Sequence, residues 1–411
     1  MKPYVILGNG VAAVACVEGI RTVDKETPVV IVSAEERPAY CRPLISYYLE
    51  GKTDPQKMNY REPDFYVTNG CEVLYGRKGV KLDANAKVVA LDDGSVLEYR
   101  ALCVATGASP FTPDVKGLDS VKCKTNFLTL DDALELESYL DSTTRVLILG
   151  AGLIGLKCAE GVCHRVAETI VCNRSPQVLT SILEPDCAAI VQKQMEEEGV
   201  KFILGDFVDE FQGNKAILKS GKKVDFDVLV LAVGVRPNVQ FAADAGVQVD
   251  RGILVDSSLQ TNLPDVYAAG DCSQGEDQSL DGKKRVLAIM PNAYMQGRAA
   301  GVNMAGGKEL FEKGIPMNSL GFFGLHVMTA GRYDGEIYEE KSNRKLKRLF
   351  TRDALLVGFI LIGETDRAGV YTALIREKTP LSTVDFESLK RVAASIALGK
   401  DARKHSFGGL V

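Results

Sequence analysis

At 411 residues the chain is too long for a single compact core, so two or three domains are expected. A composition of 46 % apolar and 25 % charged residues is that of an ordinary globular protein, and a net charge of −5 argues against a nucleic-acid-binding surface. No apolar run reaches the roughly 18 residues that would suggest a membrane-spanning helix.

Residues Tyr4 to Arg21 read YVILGNGVAAVACVEGIR: a short apolar strand, a glycine turn and an amphipathic helix. The turn fits GxGxxA. Gly8 permits the sharp bend, Gly10 lets the backbone approach a pyrophosphate, and Ala13 is small enough for helix to pack on strand. Lys2 and the apolar stretch ending at Cys16 superficially resemble a secretory leader, but the glycine turn with Glu18 and Arg21 behind it reads as buried strand and helix. A cytoplasmic protein is therefore expected. The ten cysteines are scattered, with no C-x-x-C pair, so neither a disulfide framework nor an iron–sulfur or zinc ligand set is indicated. Three histidines make a histidine metal site improbable.

Pro28 to Ser33 reads as a second buried parallel strand. Glu35 follows it, about 20 residues past the glycine turn, where a carboxylate can hold a ribose hydroxyl pair; Glu36 is the alternative. Next comes PAYCRPLISYYL, Pro38 to Leu49. This run resembles the segment that lies against FAD in the two-dinucleotide-binding flavoproteins, the pyridine nucleotide-disulfide oxidoreductase family. It is most similar to NAD(P)H-dependent rubredoxin and ferredoxin reductases and to FAD/NAD(P) subunits of multi-subunit oxidoreductases. The resemblance implies that Arg42 and Pro43 stand near the FAD pyrophosphate, and that Tyr47 replaces a lysine many relatives carry near the flavin.

Met58 to Asp93 reads as a lid helix and a β-meander, and Ala101 to Ala105 as a strand running into Thr106-Gly107-Ala108. In the family such an Ala105-Thr106-Gly107 stretch borders FAD and starts the crossover to a second nucleotide domain. That domain is expected over 114–238, inserted between the two parts, 1–113 and 239–316, of an FAD-binding domain. It carries a second glycine turn, Gly150, Gly152, Ile154 and Gly155, for NAD(P)H. After the strand Thr169 to Cys172, Asn173 and Arg174 stand where an NADH enzyme usually has an acid, leaving both coenzymes open. Glu160 is a candidate for orienting the nicotinamide, or else forms a helix-face salt bridge. Gly234 lies in the return crossover, and Gly270-Asp271 matches the family pair that grips the FAD ribityl chain. Pro291 to Gly306 reads as a helix whose start would point at the flavin. Residues 317–411 resemble the family's small α+β interface domain, with strands at 326–330, 336–340, 345–351 and 355–362 and helices at 370–377 and 386–398.

The resemblance thus implies an α/β fold with two Rossmann-like domains, FAD and NAD(P)H as cofactors, and electron transfer to a separate iron–sulfur protein or subunit without a redox-active disulfide. A homodimer or hetero-oligomer is compatible. Two further readings stay open. Cys41 beside Arg42 could be a thiol of lowered pKa in a single-cysteine peroxidase or disulfide reductase. The chain could also be a non-enzymatic redox-sensing flavoprotein. Tyr40, Tyr47, Phe322 and Phe323 either line the flavin or pack in a core.

Overall fold

The computed structural model describes residues 1–391 and divides the chain into two compact units. The larger comprises Met1–Glu276 and Lys284–Glu312; the smaller comprises Asp277–Lys283 and the chain from Lys313 onward.

The larger unit begins with β1 (Tyr4–Leu7), whose four residues are all buried, as a parallel strand covered on both faces must be. After the glycine turn comes α1 (Val11–Val23), then β2 (Val29–Ser33). The chain then makes a 3-10 turn, Arg42–Leu44, that runs into the short helix α2 (Ile45–Leu49). The lid helix expected after Met58 is reduced to the four-residue turn Phe65–Thr68. The next stretch, β3 (Cys71–Tyr75), is no part of a meander: it pairs parallel with β2 as an edge strand of the main sheet. The antiparallel meander is confined to Gly79–Asp83, Val88–Leu91 and Val96–Glu98, and β4 (Ala101–Val104) then returns beside β1.

A second parallel sheet follows. It is built from β5 (Lys124–Asn126), β6 (Arg145–Leu149), β7 (Glu168–Asn173), β8 (Val200–Leu204) and β9 (Val228–Leu231) in the order β8-β7-β6-β9-β5. Two helices take part in the site. The first, α3 (Leu130–Ser138), starts in a capping box in which Thr129 Oγ1 accepts from the Asp132 amide and Asp132 accepts from the Thr129 amide. The second, α4 (Leu153–Val162), follows the second glycine turn. The two chain crossings between the sheets, Ala108–Pro110 and Val235–Pro237, pair antiparallel as a ribbon.

Val266–Ala268 (β10) then pairs parallel with β4 and completes the first sheet in the order β10-β4-β1-β2-β3. In both sheets the strand before the glycine turn is central, with the next strand on one side and a late strand on the other. The final helix of this unit, α5 (Met290–Met304), lies against α1 at backbone distance. A Cβ on Gly297 would overlap the Ala12 carbonyl, one on Gly301 the Cys16 carbonyl, and one on Gly19 the Arg298 carbonyl.

The smaller unit is an antiparallel sheet of β11 (Met317–Phe322), β12 (Leu325–Gly331), β13 (Glu336–Ser342), β14 (Lys345–Arg352) and β15 (Leu355–Ile362), ordered β11-β12-β15-β14-β13. The helix α6 (Ala368–Arg376) packs Tyr371, Leu374 and Ile375 on Leu349, Phe359 and Leu361. Phe322 is fully buried, and Phe323 sits in the turn between β11 and β12. The last expected helix begins at Phe386 and is described to Arg391; its expected remainder lies outside the described residues.

Candidate functional site

Three strand ends of the first sheet converge on the start of α1. Gly8 takes φ +111° and donates its amide to Val32 O at 2.8 Å; a Cβ there would overlap the Ala105 carbonyl oxygen at the end of β4. Gly10 is the N-cap of α1, extended, with no side chain capping the helix and no atom within 4 Å of where a Cβ would point. The first amides of α1 therefore face open space. Ala13 is fully buried, and Gly107 also borders open space. Asn238 clips the loop after β4, donating Nδ2 to Thr106 O (2.9 Å) and its backbone amide to Gly107 O (2.9 Å) and accepting from Thr106 Oγ1 (3.0 Å).

From β10, Gly270 sits against Ala12, its would-be Cβ 3.0 Å from the Ala12 Cβ. Gln296 on α5 accepts from the Gly270 amide (2.8 Å) and Ser273 Oγ (3.2 Å), while its own Nε2 is buried with no protein partner. Burial pushes the Asp271 carboxyl above the usual carboxylate range, with Arg42 near enough to oppose part of that rise. A cofactor carrying a pyrophosphate and hydroxyls fits this construction: helix amides and Arg42 for the anion, carboxylates for hydroxyls, and an unfilled amide donor at Gln296.

Glu35, not Glu36, faces this cleft. It ion-pairs with Arg42 and accepts from Tyr40 OH at 2.7 Å, whereas Glu36 lies beside Gly76. Tyr40 OH in turn accepts the Leu130 amide at 2.8 Å, and Arg42 donates to Leu128 O at 3.3 Å, so this segment is tied to the start of α3. Cys41 is half-buried with its Sγ 4.0 Å from Met290 Sδ. Burial raises its thiol pKa, with no offset from Arg42, whose guanidinium is turned to Glu35. The lowered pKa expected from sequence adjacency is therefore overturned.

The second glycine turn repeats the first. Gly150 takes φ +105°, and a Cβ there would overlap the Ala232 carbonyl at the end of β9, as Gly8 does with Ala105. Gly152 is an extended N-cap with open space before it, and Gly155 packs too closely on the Gly150 carbonyl to carry a Cβ. Ile154 is half-exposed on the first turn of α4, and Gly234 faces open space. Asn173 Oδ1 accepts the Ala151 amide at 3.2 Å, and Arg174 lies at the surface over the Phe207 ring. Glu160 is buried, 6 % exposed, and ion-pairs with Lys157 one turn earlier, so the helix-face salt bridge is present. Lys157 Nζ also stands 4.9 Å from the centre of the Tyr47 ring, which brings α2 over α4.

Residues 2–297 match the pyridine nucleotide-disulphide oxidoreductase family. The chain belongs to that family. Its members use FAD and NAD(P)H. The oxidoreductase is 32 % identical over 419 aligned residues to a protein of Aromatoleum evansii, the NADH-dependent phenylglyoxylate dehydrogenase subunit epsilon, with 98 % of each chain covered. It is 28 % identical to the rubredoxin-NAD(+) reductase of Pseudomonas putida over 309 residues, which is 74 % of this chain and 80 % of that one. Two longer relatives from Bacillus subtilis also match, and the chain spans about half their length. Among solved structures, a putidaredoxin reductase in covalent complex with putidaredoxin superposes with a TM-score of 0.85 at 23 % identity, covering 92 % of this chain and 94 % of that one.

Several residues of the oxidoreductase site escaped sequence reading. Gln296 gave no motif signal. Lys157 could have been found, because K-x-x-E within one helix turn is a pairing distance. The sequence does name Tyr40, as a flavin-lining or core residue, but the bond by which it joins two elements 90 residues apart has no local pattern to report it.

Proposed function

We propose that this chain is an FAD-dependent oxidoreductase that passes electrons between NAD(P)H and a separate iron–sulfur protein of the rubredoxin or ferredoxin type. The observation that carries this reading is the duplicated construction: two glycine turns, each pressed on the carbonyl of a neighbouring strand end and each leaving an uncapped helix start open. FAD supplies the step between two-electron hydride chemistry and one-electron carriers.

The chain's own groups are assigned as follows. The amides of α1 behind Gly10, together with Arg42, hold the FAD pyrophosphate, and Pro43 keeps the Arg42 turn in its 3-10 shape. Glu35 accepts from the adenosine ribose, exchanging its Arg42 and Tyr40 partners for hydroxyls. Gly270, Asp271 and the free Nε2 of Gln296 face the ribityl chain, with Ala105-Thr106-Gly107 along the edge. The amides of α4 behind Gly152 hold the NAD(P)H pyrophosphate, with Ile154 packing on the coenzyme and Gly234 leaving room for it. Lys157 holds Glu160 by their ion pair and orients it toward the nicotinamide side. Catalysis here is placement of one ring against another.

Division into an FAD domain (1–113, 239–316), an inserted NAD(P) domain (114–238) and a C-terminal interface domain (from 317) belongs to the same reading. Ten cysteines, none in a disulfide, suit a cytoplasmic location. A Cys41 peroxidase or disulfide reductase is disfavoured by a thiol that burial keeps protonated.

The test is stopped-flow reduction of the FAD-loaded chain by NADH and by NADPH, followed by electron transfer to a rubredoxin or ferredoxin. Bleaching of the flavin and reduction of the iron protein are expected. No bleaching by either coenzyme refutes the proposal.

A further inference from the structure

The carboxyl end of β7 is built in a way that excludes an acid. Asn173 Nδ2 donates to Ser175 O and to Gln177 O, both at 3.2 Å, and Oδ1 accepts the Ala151 amide inside the second glycine turn. A carboxylate in its place could still accept from Ala151, but it would face two carbonyl oxygens with no proton to give. The amide therefore holds the loop, and neither of its N–H bonds is left for a ligand. At this point of a dinucleotide fold an acid accepts the ribose 2′-hydroxyl and an arginine accommodates a 2′-phosphate.

Arg174 comes next. It is exposed, its guanidinium lies 4.3 Å from the centre of the Phe207 ring, and it makes no ion pair among the described residues. Stacking holds the planar fork in place while leaving its N–H edge free for an anion. The Ser175 and Thr180 hydroxyls on the same loop bond each other at 2.8 Å, and Thr180 Oγ1 donates to Gln177 O, which leaves Arg174 as the donor the loop offers an anion. Just past the neighbouring strand β8 stands Asp206, whose backbone amide bonds Asn173 O at 3.3 Å. Its carboxylate is occupied by Ser220 Oγ (2.5 Å) and the Phe207 amide (2.9 Å).

We propose that Arg174 reads a 2′-phosphate, which makes NADPH rather than NADH the preferred coenzyme of this chain. The inference rests on the reading that the second glycine turn holds a nicotinamide coenzyme. The test is calorimetric titration of the FAD-loaded, full-length protein with 2′,5′-ADP and with 5′-ADP, so that the first dinucleotide site is filled and no turnover is needed. The 2′-phosphorylated nucleotide should bind at least about tenfold tighter, the scale of one charge-assisted contact. Arg174→Ala should abolish that preference while leaving 5′-ADP affinity within about twofold, and Arg174→Lys should keep part of it. Equal affinities in the unaltered protein overturn the inference, and a preference that survives Arg174→Ala overturns the role of Arg174; neither touches the coenzyme reading of the second turn. Binding of neither nucleotide overturns this inference together with the coenzyme reading of the second turn.

Discussion

Gly8 and Gly10 stand two residues apart in one turn, yet substitution should separate folding from cofactor binding. At Gly8 a Cβ would overlap the Ala105 carbonyl, and φ +111° is a conformation an L side chain rarely adopts. Backbone strain of about 1–3 kcal/mol adds to an overpacking cost of about 1–3 kcal/mol, so Gly8→Ala should lower the stability of the FAD-free protein by about 2–6 kcal/mol. At Gly10 the backbone is already extended, φ −102° and ψ −166°, and nothing lies within 4 Å of the new methyl. Alanine is the poorer N-cap by a few tenths of a kcal/mol, and it stiffens the unfolded chain by a comparable amount, so the net change should stay within about 0.5 kcal/mol. The added methyl instead occupies the open space at the start of α1 that the assignment gives to the pyrophosphate, and FAD affinity should fall at least about tenfold. Urea denaturation of the FAD-free variants gives the first quantity and quenching of FAD fluorescence the second. Gly10→Ala protein that binds FAD as tightly as the unaltered chain would refute the assignment of the first turn. So would a urea midpoint as low as that of Gly8→Ala.

Three further outcomes are expected. The Cys41 thiol, raised above its ordinary value of 9.0 by burial, should stay protonated near neutrality, so iodoacetamide labelling should be slow at pH 7–8 and accelerate only above about pH 9, with Cys41→Ser turning over coenzyme at an unchanged rate. Gly301→Ala would gain roughly 0.5–1 kcal/mol on a solvent-facing helix, but here the methyl meets the Cys16 carbonyl, and the urea midpoint should fall by the equivalent of about 1–3 kcal/mol. Asp24 accepts from the Glu26 and Thr27 amides (3.0 Å each), Thr27 Oγ1 (2.7 Å) and Tyr4 OH (3.0 Å), which hold its carboxyl far below the usual range. Its ionised form therefore adds stability that is complete above about pH 5 and is lost as pH falls through the depressed folded value. Asp24→Asn should cost about 1–2 kcal/mol at pH 7, and the difference should shrink steadily below about pH 4 in acid titrations of stability.

The glycine turns were legible because their chemistry is local: strand, bend and helix start all lie within ten residues, and each glycine has its own steric reason. Other features failed for physical reasons that differ. Met317–Phe322 lacks clear alternation, and it is a strand because β12 offers it a full ladder of partners. The alternating CEVLY of β3 looked like a meander strand because it is half-exposed, as an edge strand of a parallel sheet is. The start of α3 did carry a signal, Thr129 with Asp132 three residues on, though with Asp where Glu or Gln is usual. Cys41 shows the commonest error of linear reading. Arg42 is its neighbour along the chain, but the 3-10 turn sends the guanidinium to Glu35, and charge acts through space.

The crossing of α1 and α5 carries a mechanical corollary. With Gly19, Gly297 and Gly301 bringing main chain onto main chain, no deformable side chain lies between the two rods to absorb a displacement. A displacement of α5 along this seam would thus have to carry α1, and with it the turn at Gly10 that caps α1.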